Sequence, residues 1–196
     1  MTKMTKILKS VVLSALVLAM TTQFAYAAKA LNDTYRVVIT DSCQQTDEPG
    51  FSDFPELLAT NGFSLQVLDT FEGTLHFHKN GTATLVASGR YALPGIPFQP
   101  VGTFTTVCQY TSTANPDGSF ALAGYCDSEV LSGIGLGERN RNETLHLKVV
   151  SHKDFILLSS TGVEVATLTI VNRDPPVSFF RICQLHGFGV KDKSGD

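Results

Sequence analysis

The stretch Phe71-Glu72-Gly73-Thr74-Leu75-His76-Phe77-His78-Lys79-Asn80-Gly81-Thr82-Ala83-Thr84-Leu85-Val86-Ala87 decides the fold class. Apolar and small residues alternate with polar ones on both sides of Lys79-Asn80-Gly81. Period-two alternation is the mark of a strand with one buried face. Asn and Gly tolerate the positive φ that a tight hairpin turn demands. A three-residue loop opposes residues whose numbers sum to 160. That pairs Phe77 with Ala83, Leu75 with Leu85 and Gly73 with Ala87, so one face is wholly apolar. Glu72, Thr74, His76 and His78 then take the other face. A slip by one residue would destroy the match, so the register is well specified.

The same rhythm runs outward in both directions. Upstream, Tyr35 to Thr40 and Phe63 to Leu68 read as strands, with a long connection over 41–62 in which 53–59 suits one short helix. Downstream, Pro94, Pro97 and Pro100 make 94–100 a loop or an edge segment. Val101 to Ser112 and Ser119 to Leu131 form a second hairpin around Asn115-Pro116-Asp117-Gly118, where Pro pre-sets φ and Gly takes the left-handed position. Gly133 to Asn142 is a glycine-rich, charged loop. Runs at 143–151, 154–159, 163–172 and 177–187 follow, with short turns at His152-Lys153 and Thr161-Gly162. The last residues, 191–196, read as a disordered tail. With no long amphipathic helix, the chain is expected to be all-β. Closure into an antiparallel up-and-down barrel of about 8–10 strands removes exposed sheet edges, and a β-sandwich is the alternative.

The first 27 residues have the parts of a cleavable signal peptide: Lys3, Lys6 and Lys9, the apolar run Val11 to Met20, and Ala25-Tyr26-Ala27 as a small-x-small site. Residues 28–196 are then a single exported domain, periplasmic or secreted. The signal takes three of the 15 Lys+Arg and none of the 18 Asp+Glu, so the remainder carries a net charge of −6. Such a surface argues against nucleic acid or an anionic membrane as partner.

All four cysteines, Cys43, Cys108, Cys126 and Cys183, fall in the exported part, and an even count there reads as two disulfides. In the second hairpin, a three-residue loop opposes residues whose numbers sum to 234, and Cys108 and Cys126 do so. They fall at a non-hydrogen-bonded pair, where Cα atoms lie about 4.5 Å apart, within disulfide reach. Cys43, just after the first strand, and Cys183, in the last, remain to staple the closing seam.

Catalytic and cofactor motifs are weak. Asp41, Ser42, His152 and Asp154 are the letters of a hydrolase triad with no nucleophile elbow to place them. His76 and His78 share a strand face without a second ligand cluster at fixed spacing. Gly133 to Gly137 lacks the Lys-Ser/Thr of a P-loop. The expectation is a protein that is not an enzyme and carries neither cofactor nor metal.

Phe71 to Phe77 with Asn80 to Leu85, and Gly102 to Cys108 with Gly118 to Leu122, resemble small exported bacterial proteins with lipocalin-like, calycin-type barrels, most without an assigned function. The resemblance implies a barrel of that type over the exported chain. The Gly-x-Trp of lipocalins proper has no counterpart, because the sequence contains no Trp, so no family site residues transfer.

Two functions fit such a barrel. One is carriage of a small apolar or amphipathic ligand in the lumen. Phe71, Leu75, Phe77, Phe104, Tyr110, Phe120 and Leu122 are its candidate contacts, with small residues such as Gly73 and Gly124 leaving room among them. Arg139 and Arg141 are the candidate polar contacts at the mouth. The other is a secreted protein-binding module, such as a hydrolase inhibitor, and a roomy or a filled interior discriminates the two.

Overall fold

The computed structural model describes residues 31–193 apart from 48, 54, 55, 57, 61, 94, 95, 134 and 163. The expected signal peptide, 1–27, lies outside the described residues. Nine strands form one antiparallel sheet: β1 (Thr34–Thr46), β2 (Leu65–Phe77), β3 (Thr82–Leu93), β4 (Ile96–Ala114), β5 (Phe120–Val130), β6 (Arg139–His152), β7 (Phe155–Ser160), β8 (Glu164–Ile170) and β9 (Val177–Lys191). Each pairs with its sequence neighbour from β1 to β7, and β9 returns to pair with β1, closing a barrel. Thr161-Gly162 is not a hairpin turn. β7 and β8 run end to end in a single position between β6 and β9. Between the pairs Ser159↔His186 and Glu164↔Cys183, four residues stand opposite two. Extra residues on one strand make a bulge that bends the wall without ending it. The barrel therefore has eight strand positions and one divided strand.

Both hairpins take the registers that their turns dictate. Phe77↔Ala83, Leu75↔Leu85 and Gly73↔Ala87 are paired in the first, and Gly81 holds φ +79° in its turn. Ala114↔Phe120 and Cys108↔Cys126 are paired in the second, where Asn115 N donates to Ser119 O at 2.8 Å and Gly118 holds φ +79°. Phe63 to Leu68 and Phe71 to His78 are not two strands: Leu65–Phe77 is continuous. Of the two expectations for 94–100, residues 96–100 take the edge segment, and Pro94 lies outside the described residues. Residues 96–100 open β4 and pair only with β3, across two register shifts, while the β5 ladder begins at Phe104. A proline on a one-sided ladder forfeits no bond to a second neighbour. The expected 41–62 connection is shorter, because β1 continues to Thr46; within it Phe51↔Ala59 is a bridge, with Ser52 N donating to Leu58 O at 2.7 Å. Asp53, Glu56, Leu58 and Ala59 are not helical, and 54, 55 and 57 lie outside the described residues. Arg139 to Asn142 belong to β6, which leaves the glycine-rich loop shorter than expected. The tail is ordered further than expected: Lys191 ends β9, Asp192 N donates to Thr34 O at 2.8 Å, and Lys193 Nζ meets Asp154 at 2.9 Å.

Alternation sets the interior. In β1, Tyr35, Val37, Ile39 and Cys43 are buried while Arg36, Val38 and Ser42 are exposed. The tight turns β2–β3, β4–β5 and β6–β7 sit together at one end of the barrel, and the longer β1–β2, β5–β6 and β8–β9 connections sit at the other, with the short β3–β4 link. At the tight-turn end, Leu31, Tyr35, Phe77, Phe120, Val149 and Ile156 are almost wholly buried in one cluster. Glycine makes that packing possible at Gly189, where a Cβ would stand 2.7 Å from Val37 Cγ1 and 2.9 Å from Ile156 Cγ2. The disulfides Cys43–Cys183 and Cys108–Cys126 have Cα separations of 4.1 and 4.0 Å. The first ties β1 to β9 across the closing seam and the second ties β4 to β5. Two disulfides fit an oxidising, extracellular-type environment.

Candidate functional site: the barrel lumen

Above the packed end, the barrel interior is not filled. A cavity of about 550 Å³, open to solvent, runs up the lumen. Its lower wall is apolar: Phe71, Leu75, Phe77, Leu85, Tyr110 and Leu122 among others. Phe71 and Phe104 meet edge-on at 5.1 Å, and Phe77 and Tyr110 at 6.0 Å. Burial pushes the Tyr110 hydroxyl above its ordinary pKa. Toward the long-loop end the wall is mixed, with Gln45, Asp69, Thr106, Ser128, Asn140, Asn142 and Arg181 among Leu65, Val67, Phe104, Val130 and Leu168.

Two polar contacts organise this upper wall. Arg181 Nε donates to Gln45 Oε1 at 2.8 Å, and its Nη1 stands 3.7 Å from Asp69 Oδ2. On the far side, Thr106 and Ser128 hydroxyls bond at 2.8 Å. Asp69 faces Asp41, its register partner on β1. Asp41 Oδ1 is buried and has no hydrogen-bond partner. Burial, and then the Asp69 charge, push the Asp41 carboxyl up to about 6 against the pull of Arg181. Burial also raises the Asp69 carboxyl, again opposed by Arg181. A buried charge without full compensation is costly, so a carboxylate in this wall holds its proton to higher pH than one in water.

The structure brings six of the predicted contacts into the cavity wall: Phe71, Leu75, Phe77, Phe104, Tyr110 and Leu122. Phe120 belongs to the packed cluster beneath. Arg139 and Arg141 do not line the lumen. They are exposed, and Arg141 Nε meets Asp127 Oδ1 at 2.8 Å while Arg139 Nε lies 3.9 Å from Glu129. Arg141 also lies over the Tyr125 ring at 5.8 Å. Nor do Gly73 and Gly124 supply the room. A Cβ at Gly73 would stand 2.2 Å from Val86 O, and one at Gly124 would stand 1.9 Å from Gln109 O. Backbone already occupies that space, so these glycines let neighbouring strands coil closely.

Sequence reasoning places none of Arg181, Asp69, Asp41 and Gln45 in the lumen, and reads Asp41 only as a triad letter. A signal for three of them lay in the cysteines. A cross-strand disulfide facing inward fixes the parity of its strand, so Cys183 places Arg181 inward and Cys43 places Asp41 and Gln45 inward. The remaining motifs are dispersed. Asp41 is on the inner face and Ser42 on the outer, and His152 stacks on Phe155 at 4.9 Å by the β6–β7 turn. His76 bonds Thr34 and His78 bonds Thr84 at 3.1 Å.

The fold and its interior define an eight-position antiparallel barrel with one packed end and one open, amphipathic lumen. No protein family, curated protein or solved structure matches the chain.

Proposed function

We propose that the protein holds a small, largely apolar or amphipathic molecule in the lumen, as a binder and not a catalyst. The cavity of about 550 Å³ carries this reading. Small-molecule sites occupy roughly 300–1,000 Å³, are mostly apolar, and add a few placed polar groups. This lumen has that composition, with its charged groups at the open end. An address outside the cytosol, periplasmic or secreted after signal cleavage, goes with it, supported by the two disulfides and the N-terminal pattern. So does the lipocalin-like character of the hairpins.

The test is a panel of fatty acids, isoprenoids and fluorescent apolar probes titrated against the disulfide-bonded protein. Native mass spectrometry of protein purified from its own host complements it. Binding of at least one class with a Kd below about 100 μM is expected. Failure of every class would hand first place to the protein-binding reading. That reading draws on a row of exposed apolar side chains across the outer wall, Val38, Phe188, Leu157 and Val150, neighbours on β1, β9, β7 and β6.

A further inference from the structure

We propose that the lumen selects an apolar molecule carrying one protonated amine, its ammonium seated at Asp69 beside Asp41. This rests on the ligand reading above and adds the chemistry of the headgroup.

The argument is one of charge placed in a confined wall. Among the described residues that line the cavity, Arg181 is the only cation. It is already engaged: Gln45 accepts from it at 2.8 Å and Asp69 stands 3.7 Å away. An entering carboxylate would have to compete with Asp69 for it, against the field of two acidic groups. The opposite case is open. Asp69 lines the cavity and is only 7% exposed, so little water screens it. Asp41, its register partner, keeps Oδ1 buried and unpartnered. Two carboxylates against one guanidinium leave this region one positive charge short when all are ionised. An ammonium at Asp69 supplies that charge. The apolar tail then runs down the wall of Phe71, Leu75, Phe77, Leu85 and Leu122.

The protonation of Asp41 makes the selection pH-dependent. The charged groups that face Asp41 are Asp69 from β2 and Arg181 from β9. Leu185 faces it from β9, and the neighbouring His186 is exposed on the outer surface. With Asp41 titrating at about 6 in the free protein, a cation bound to the ionised form loses affinity as the pH falls below that value. The loss reaches about tenfold per pH unit.

The experiment compares decylamine, decanol and decanoate, which share a tail and differ in head. Each competes with uncharged N-phenyl-1-naphthylamine on the disulfide-bonded protein at pH 7.5 and pH 5. At pH 7.5 decylamine should bind at least about tenfold more tightly than decanol, with decanoate weakest. The amine advantage should shrink by up to about tenfold at pH 5. Asp41→Asn should lower the amine-to-alcohol affinity ratio at pH 7.5. Decanoate binding as tightly as decylamine, or the same amine-to-alcohol ratio in Asp41→Asn and wild type, would overturn the assignment. If decanol binds and decylamine gains nothing, only the headgroup assignment falls. If neither the probe nor any decyl compound binds, the ligand reading falls with it.

Discussion

Asp41 on β1 and Asp69 on β2 are register partners, and both stand on the inner face of the barrel. Two carboxylates placed this way are a cost that the fold carries at neutral pH. The Asp41 carboxyl is raised from 3.8 to about 6. The unfolded chain leaves it near its ordinary value. Between those values the folded protein binds more protons than the unfolded one, so stability rises as the pH falls.

Thermal or urea denaturation at pH 8 and pH 4.5 should therefore show higher stability at the lower pH. The Asp41 contribution is fully present below about pH 4 and lost as the pH rises through about 6, an effect on the order of 2–3 kcal/mol. Asp69, raised in the same direction, adds to it. Asp117 and Asp154 are exposed carboxylates held below the usual range by Lys148 and Lys193, and they oppose it only in stronger acid. Asp41→Asn should be more stable than wild type at pH 8 and lose most of the slope. A wild-type profile that rises from pH 4.5 to pH 8, or an unchanged slope in Asp41→Asn, would contradict the buried-carboxylate account.

The two disulfides should differ in weight. Cys43–Cys183 spans 140 residues and Cys108–Cys126 spans 18. In the chain-entropy model these loops correspond to about 5 and about 3 kcal/mol. The first also joins the strands that close the barrel, whereas the second reinforces a hairpin whose turn already sets its register. Cys43→Ala/Cys183→Ala should lower Tm more than Cys108→Ala/Cys126→Ala. The reverse order would show that the seam holds without its staple.

Gly124 tests what the inward glycines do. A Cβ there would stand 1.9 Å from Gln109 O and 2.8 Å from Tyr110 Cα, both backbone atoms. Gly124→Ala must push β4 and β5 apart beside Tyr110 in the lumen wall. It should cost roughly 1–3 kcal/mol, in the range of overpacking. A neutral effect on Tm would mean that the glycine leaves free space after all.

The hairpins were legible because alternation and turn chemistry act on the same few residues. Once Asn80-Gly81 and Pro116-Asp117-Gly118 are read as turns, every cross-strand pair follows, including Cys108 with Cys126. The divided strand was not legible. Thr161-Gly162 has turn composition, and nothing local distinguishes a reversal from a bulge; only pairing of both halves with β6 and β9 decides it. The apolar lumen wall could be read because Phe71, Leu75, Phe77 and Leu122 repeat at period two. The polar wall was hidden for the opposite reason. Arg181 lies after Phe179 and Phe180, where consecutive aromatics break the alternation, and a charged residue in a strand ordinarily faces water. Arg139 and Arg141, adjacent to a glycine-rich loop, attracted the mouth assignment by sequence proximity. Strand parity turns them outward onto Asp127 and Glu129.

The central claim is that a small molecule enters the lumen, and the absence of Trp from the sequence makes a direct measurement available. Phe104 lines the cavity beside Phe71, so Phe104→Trp installs a single indole there. Once excited, that indole should transfer energy to bound N-phenyl-1-naphthylamine, saturating at one probe per chain with a Kd below about 100 μM. Adding Leu85→Phe, which fills lumen space, should weaken that binding at least about tenfold while the thermal transition is retained. Saturable transfer with that loss is the predicted result. No saturable transfer below about 100 μM, or equal affinity with Leu85→Phe present, would contradict ligand binding in the lumen.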